Sequence, residues 1–245
     1  MFNYTHAKTL LPTERRWAII TGGSLLFMAV AGGFAFGYVH PILHIAGDSE
    51  ATSDALNARP LLLYAIVVAW NLVALLDVVA SVGIYRVYRR WAPKLSVLVA
   101  AIRLIYTMVL VVAVAQLGSL SLIDDMGNGL KRFEVFEAIW SVGLVVFGLH
   151  LLVLSYLILV IRYPGILVSI ALSLGGIGYI VLNGLKFVDT EAMAIAPVIE
   201  ALINVPMVLG ELSFAVCLLF VGHHARNWRR DNSRRLLLCR LLSRS

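Results

Sequence analysis

Apolar residues run along this chain in six long stretches that are separated by short polar segments. A helix needs about 20 mostly apolar residues to cross roughly 30 Å of hydrocarbon, and each stretch is long enough. Membrane barrels would instead show short strands of alternating polarity, which this pattern lacks. The pattern predicts an all-α, polytopic membrane protein, a six-helix transmembrane bundle with spans at Trp17–Tyr38, Leu61–Tyr85, Leu95–Leu117, Glu137–Ile161, Gly165–Leu185 and Ile203–His223.

The composition agrees with a lipid environment. Sixty per cent of the residues are apolar and 14% are charged, whereas soluble domains carry about 25% charged residues. The first apolar stretch follows a polar lead and lacks a small-residue cleavage site, which favours an uncleaved span over a signal peptide. The two cysteines, Cys217 and Cys239, have no metal-binding spacing and are expected to be unreactive thiols.

Glycines are concentrated in two of the spans. Gly33 and Gly37 form a GxxxG motif in the first span, and the fifth span contains Gly175, Gly176 and Gly178. Small residues allow helix backbones to approach closely in membranes, so both groups predict close helix contacts. Contacts inside the bundle are favoured over a dimer face.

Basic residues are unevenly distributed between the predicted loops. With a cytoplasmic N-terminus, fifteen lysines and arginines fall on the cytoplasmic side and only four on the other. Since cytoplasmic loops are enriched in Lys and Arg, both termini are predicted to be cytoplasmic. The chain then comprises a cytoplasmic N-terminal segment (1–16), a transmembrane domain (17–224) and a basic cytoplasmic tail (225–245). The tail is expected either to contact anionic lipids of the bilayer or to form a disordered basic end, and no nucleic acid is expected as a partner.

Two charged residues lie deep inside neighbouring spans. Asp77 precedes the turn centred on Arg90 by thirteen residues, and Arg103 follows that turn by thirteen. Antiparallel helices that rise about 1.5 Å per residue bring both charges to the same depth. Because a charge in hydrocarbon costs at least about 2.5–3.5 kcal/mol, we predict an Asp77–Arg103 ion pair. Two roles remain open, a structural pair or a gate or anion site, and Ser81 and Thr107 share these faces as secondary candidates.

Two further polar residues lie deep in later spans. His150 is midway along the fourth, and Glu211 is in the sixth, with Asn204 seven residues earlier on the same helix face. Glu211 has no cation near it in the sequence, which suits proton coupling, and His150 is a candidate to meet it. His150 would serve equally well as a proton relay or as an interhelical hydrogen-bonding group. The four residues Asp77, Arg103, His150 and Glu211 therefore form the candidate intramembrane polar site.

The sequence carries few signs of a metal or cofactor. His40 and His44 have the i, i+4 spacing that holds metals on helices, but Pro41 interrupts the turn and no HExxH glutamate accompanies them. We therefore expect no metal there and no cofactor elsewhere. A di-haem arrangement would need histidines paired at matched depth, and only His150 lies deep. Nucleotide-binding glycine loops and GxSxG elbows do not occur in suitable contexts.

Four stretches resemble a known family of bacterial membrane proteins. They are LVALLDVVASVGIYRVYR, VAAIRLIYTMVL, VFGLHLLVLSYLILVIRYPGILVSIALSLGGIGYI and VLGELSFAVCLLF. Their order and spacing are similar to those of the family designated domain of unknown function 4386, from about Glu14 to His224. The resemblance implies a six-span protein of the bacterial cytoplasmic (inner) membrane, with the four candidate residues on matching positions. It implies no activity and does not cover the arginine-rich tail.

Three functions are compatible with this sequence. The first is a small-molecule or ion binding or transport-like bundle, which a cavity reaching Arg103 or Glu211 would favour. The second is a membrane interaction or assembly protein, partnered by another membrane protein or by its own copies, in which the buried charges are structural. The third is an intramembrane enzyme acting on lipid, which would need Asp77, His150 and Glu211 to converge on a metal. We rank them in this order, with an enzyme least favoured.

Overall fold

A computed structural model describes residues 10–122, 126–187 and 208–220. These residues form helices, and no strand occurs among them. The helices are α1 (Pro12–Leu43), α2 (Ser49–Ala58), α3 (Pro60–Tyr88), α4 (Pro93–Leu122), α5 (Gly129–Ile161), α6 (Ile166–Leu185) and α7 (Val208–Phe220). All except α2 and α7 are long and apolar enough to cross a membrane. The predicted all-α class is confirmed, and five apolar helices indicate a membrane-embedded protein.

The sixth predicted span is described only in part. Within Ile203–His223 the structure describes α7, a shorter apolar helix over Val208–Phe220. Asn204 and the tail 225–245 lie outside the described residues, as does the start of the N-terminal segment. The six-span count and the cytoplasmic position of both termini therefore remain predictions.

Several helices extend beyond their predicted spans. Helix α5 begins at Gly129 rather than at Glu137, because backbone hydrogen bonding continues where apolar character ends. Helix α2 was not predicted at all, since its sequence is polar. Its start is marked by Asp48, whose side chain accepts a hydrogen bond from the Ala51 N–H at 2.9 Å, a typical N-cap contact.

Helix α1 changes its winding near its end. It is α-helical over Pro12–Gly32, π-helical over Gly33–Val39 and α-helical again over His40–Leu43. The N–H of His40 bonds to the carbonyl of Ala35, five residues earlier. Pro41 explains the change, because it lacks an N–H and its ring clashes with an α-helical turn before it. The wider winding brings His40 inward, where it is buried.

The spanning helices form a ring of neighbours. Helix α1 packs on α3, α3 on α4, α4 on α5, and α5 on α6. Helix α7 closes the ring between α6 and α1, because Gly210 lies against the backbone of Ala171 and Gly22 against that of Ala215. We call the two ends of this bundle the Arg90 end and the His40 end, after the residues found there.

Small and hydroxyl residues hold the ring together. Gly148 of α5 and Gly176 of α6 face each other so closely that a side chain on either would meet the other's carbonyl oxygen. Nearby, Ser155 and Ser169 each donate to the other's backbone carbonyl, at 2.8 and 2.9 Å. Both contacts are typical of membrane helices, where packing and interhelical hydrogen bonds replace the hydrophobic effect. The predicted contact role of Gly176 is therefore confirmed.

The other predicted glycine contact does not form within the described part of the chain. There, no heavy atom lies within 4 Å of the position that a side-chain carbon would take at Gly33 or Gly37. On the outer surface of the ring, large apolar side chains are exposed, among them Val30 at 72% and Leu61 at 80%. A soluble protein rarely exposes continuous apolar area of this kind, so this surface is expected to face lipid.

We expect Gly148→Val to destabilise the protein by about 1–3 kcal/mol, because even the first side-chain carbon would lie 2.6 Å from the Gly176 oxygen. The matched control is Gly33→Ala, which adds a side chain to the same kind of apolar helix but into open space. Thermal unfolding of the purified protein in detergent measures both. Equal melting points for the two variants would contradict the close α5–α6 contact.

Candidate functional site

The predicted ion pair is present between α3 and α4. Arg103 Nη2 lies 2.6 Å from Asp77 Oδ1, and the two side chains are 1% and 0% exposed. Asp77 and Arg103 are equally far in sequence from the turn near Arg90, and they lie at the same depth, as expected for two straight antiparallel helices. The pair is sealed from both lipid and water.

His150 is a second hydrogen-bonding neighbour of Arg103. Arg103 Nη1 lies 3.2 Å from His150 Nε2, and His150 Nδ1 lies 3.0 Å from the carbonyl oxygen of Val99. A guanidinium only donates and a carbonyl only accepts, so the imidazole accepts at Nε2 and donates at Nδ1. His150 is thus a neutral imidazole with its proton on Nδ1, at the level of the ion pair.

The guanidinium also contacts an aromatic ring and a sulfur atom. Its carbon lies 5.2 Å from the centre of the Phe147 ring, within cation–π range. Nη2 also lies 3.9 Å from the sulfur of Met28 in α1. Arg103 thereby joins α1, α3, α4 and α5. Its Nε has no hydrogen-bond partner among the described residues, but the side chain is too deeply buried to offer an open face to a ligand. We call Asp77, Arg103 and His150 the charged cluster.

The secondary candidates Ser81 and Thr107 do not contact the charges. Ser81 Oγ donates to the Asp77 carbonyl at 2.8 Å, and Thr107 Oγ1 donates to the Arg103 carbonyl at 2.9 Å. Each hydroxyl therefore satisfies its own helix four residues back, a common arrangement for Ser and Thr in apolar helices.

Glu211 lies apart from the charged cluster. Its Oε1 accepts a hydrogen bond from Tyr179 Oη of α6 at 3.2 Å. Phe147 lies between the two groups, with ring centres 5.5 Å from His150 and 5.3 Å from Tyr179. Both ring nitrogens of His150 already have hydrogen-bond partners, Arg103 and the carbonyl of Val99. The expected contact between His150 and Glu211 therefore does not form. The four-residue polar site is in fact two sites.

Glu211 borders a cavity of about 1000 Å³ between α1, α3, α4, α5, α6 and α7. Tyr106 and Tyr179 line it together with Glu211, and the π-helical part of α1 contributes Gly33 and Gly37. Asp77, Arg103 and His150 are not among its lining residues. Phe147 and Met28 line the cavity while contacting Arg103, so they form the wall between the cavity and the charged cluster.

His40 and His44 meet a carboxylate from a distant helix. His40 Nε2 lies 2.8 Å from Glu137 Oε1, and His44 Nδ1 lies 3.3 Å from the same oxygen. Burial lowers the pKa of His44 below its usual value, and the negative charge of Glu137 opposes that shift. The absence of a local glutamate was a reason to expect no metal here, and the structure supplies one from α5. In the described part of the chain these three are the residues of metal-ligand type whose donor atoms converge.

The roles of two important residues, Tyr179 and Glu137, could not be predicted from the sequence. Tyr179 follows the glycines of the fifth span, and nothing in that pattern separates it from a lipid-facing tyrosine. Glu137 was recognised only as a charge at the start of a span, because 97 residues separate it from His40. The convergence on a metal that an enzyme would need, from Asp77, His150 and Glu211, does not occur in the described residues.

We expect Arg103→Gln to lower the free energy of unfolding by about 3–5 kcal/mol, because it leaves the carboxylate of Asp77 buried without a cation. Adding Asp77→Asn should recover much of this loss, since the double variant buries no charge. Thermal unfolding in detergent measures both, with Arg89→Gln as an exposed-arginine control that changes stability by less than about 0.5 kcal/mol. If the double variant were as unstable as the sum of the singles, the pairing would carry no coupling energy.

Comparison with known proteins places the chain in one family. No curated protein matches the chain, and no solved structure matches it. The model of the family described as Domain of unknown function (DUF4386) matches residues 20–222, which span all the helices from α1 to α7 apart from the first turns of α1. This match confirms the resemblance seen in the sequence. The chain belongs to the DUF4386 family of domains of unknown function.

Proposed function

We propose that this integral membrane protein binds, and in doing so carries or senses, a small molecule or ion in the cavity bordered by Glu211. The observation that supports this proposal is the cavity itself, of about 1000 Å³, which reaches an acidic side chain inside the bundle. Known small-molecule pockets span about 300–1000 Å³ and combine apolar walls with a few polar groups.

The lining indicates the chemistry of the ligand. Apolar walls come from Leu25, Trp70 and Phe147, and the hydroxyl of Tyr179 donates to Glu211. The charged residues in the lining are three glutamates and one lysine: Glu134, Glu137, Glu211 and Lys186. A carboxylate in an apolar cavity attracts a cation or a strong hydrogen-bond donor, and repels anions. The ligand is therefore a small cation, or an apolar molecule that carries one positively charged group.

The charged cluster has a supporting role in this proposal. An anion at Arg103 would have to displace Asp77, His150 or Phe147, and each of them is within contact of the guanidinium. The cluster joins four helices and backs one wall of the cavity, so it holds the shape in which the ligand binds. The structural interpretation of the pair is thus favoured over the gate or anion site, without making the whole protein a scaffold.

The membrane placement follows from charge. At the Arg90 end, Arg90 lies over the ring of Trp91 at 4.8 Å and Arg86 lies 5.9 Å from the ring of Trp17. Aromatic and basic residues of this kind are typical of the cytoplasmic interface. We therefore assign the Arg90 end and both termini to the cytoplasm of a bacterial cell, with the tail 225–245 on anionic lipid.

A water-accessible cavity predicts a specific labelling pattern. In a Cys217→Ala, Cys239→Ala background, Gly33→Cys should react with a membrane-impermeant maleimide, because Gly33 lines the cavity and has room for a side chain. Val30→Cys is the matched control one turn away, exposed at 72% on the outer surface and absent from the cavity lining. A thiol in hydrocarbon does not ionise and should stay unlabelled. Unreactive Gly33→Cys would mean that lipid or protein fills the cavity.

The charge preference can be tested with two probes that share a phenylethyl group and differ in the sign of their charge. 2-Phenylethylamine is a cation and 3-phenylpropionate an anion at neutral pH, and both carry one phenyl ring. The amine should raise the melting temperature, by about 2–4 °C for each kcal/mol of binding, and the carboxylate should not. Glu211→Gln keeps the shape but removes the charge, so the response to the amine should disappear. Equal responses to both probes, or an unchanged response in Glu211→Gln, would contradict the proposed site.

A further inference from the structure

Three potential metal ligands converge at the His40 end of the bundle. His40 Nε2 and Glu137 Oε1 are 2.8 Å apart, His44 Nδ1 and His40 Nε2 are 3.2 Å apart, and His44 Nδ1 and Glu137 Oε1 are 3.3 Å apart. Zinc bonds of about 2.0–2.2 Å in a tetrahedral arrangement separate ligand atoms by about 3.3–3.5 Å. One ion just outside the plane of these three atoms therefore reaches all of them after small adjustments.

The local structure fixes both imidazoles in this orientation. The π-helical winding of Gly33–Val39 and the proline at position 41 set the direction in which His40 projects from α1. The ring of Phe133 stacks on His44 at 5.3 Å and packs edge-on against His40 at 5.2 Å. A site whose ligands are held in place before binding loses less entropy when the ion arrives.

The chemistry of the three atoms favours a cation between them. Two imidazole nitrogens and a carboxylate oxygen all carry lone pairs that point to one small region. In the described residues the outward nitrogens, His40 Nδ1 and His44 Nε2, are buried without a hydrogen-bond partner. Either protons or a metal ion must occupy the inner region, because three lone pairs at this spacing repel one another.

We propose that His40, His44 and Glu137 bind a divalent transition-metal ion of the zinc type. Two histidines and a glutamate are a known ligand set for zinc sites that keep a fourth position for water or another ligand. The side chain of Glu137 is 39% exposed, against 8% and 9% for the histidines, so the ion enters from the carboxylate side. Glu137 also lines the cavity, which makes the fourth position accessible from there.

Glu137 lines the same cavity as Glu211, but the two proposals can be tested separately. The proposed function is tested at Glu211, whereas the metal is held by residues at the end of α1 and early in α5. If the protein binds metal but does not respond to 2-phenylethylamine, only the proposed function is contradicted. If it responds to the amine but does not bind metal, only the metal site is contradicted.

The test uses the full-length protein, purified in detergent without a histidine tag, in the Cys217→Ala, Cys239→Ala background. After chelation and removal of the chelator, Co²⁺ is titrated and its visible absorption recorded, followed by competition with Zn²⁺. We expect one Co²⁺ per chain with the intense absorption of a tetrahedral site, displacement by Zn²⁺, and a higher melting temperature with Zn²⁺.

Glu137→Gln should weaken Co²⁺ binding by at least about 100-fold, since losing even an outer-shell partner costs about 10–100-fold. The glutamine keeps the size of the side chain and its hydrogen bond to His40, so folding is expected to survive. The matched control, Glu134→Gln, removes a carboxylate one turn earlier on α5 that acts on His44 through its charge alone, so it should weaken binding far less than Glu137→Gln does. His44→Gln, which removes one imidazole, provides a second variant in case Glu137→Gln fails to fold. Absence of Co²⁺ binding in the parent, or equal binding in parent and Glu137→Gln, would overturn the proposal and leave protons as the occupants.

Discussion

Asp77 and Arg103 cannot be hydrated at their depth in the bundle, so each is stable there only because the other is present. Their contact of 2.6 Å is the constraint on which the arrangement of the neighbouring helices depends. It sets the register of α3 against α4, and through His150 and Met28 it also fixes the positions of α5 and α1. Truncating one member leaves a buried charge, which is why such pairs are costly to break even where their net contribution to stability is small.

The polar side chains inside the bundle belong to two separate places, the charged cluster and the cavity. In the cluster the carboxylate and the guanidinium form an ion pair, and the neutral His150 links the arginine to the backbone of α4. Among the described residues, Asp77 Oδ2 and Arg103 Nε have no hydrogen-bond partner. On the other side of Phe147, Glu211 has a tyrosine as its partner and faces open space. A charge that is paired inside the protein supports structure, while one that faces a cavity remains available to a ligand.

The same contrast explains the His40 end of the bundle. There the chain places a π-helical segment and a proline, which weaken the regular hydrogen bonding of α1, and fills the space with aromatic rings. As a result, two imidazoles are held against a carboxylate on another helix. Irregular winding of this kind is frequent at functional sites, because it aims side chains in directions that a regular helix does not offer.

The sequence by itself determined the membrane-spanning helices and the depth of the charges. Hydropathy and the rise per residue act along one chain segment at a time, so five spans and the Asp77–Arg103 pair could be predicted without knowing the fold. Only the tertiary structure decided that His150 contacts Arg103 rather than Glu211, that Glu137 reaches His40 and His44, and that Gly33 lines a cavity. The physical reason is that a helix in lipid is apolar on every side, so its pattern does not reveal which face points inward or which neighbour it meets. Those choices are made by close packing of glycines and serines around the ring, between residues that are far apart in the chain.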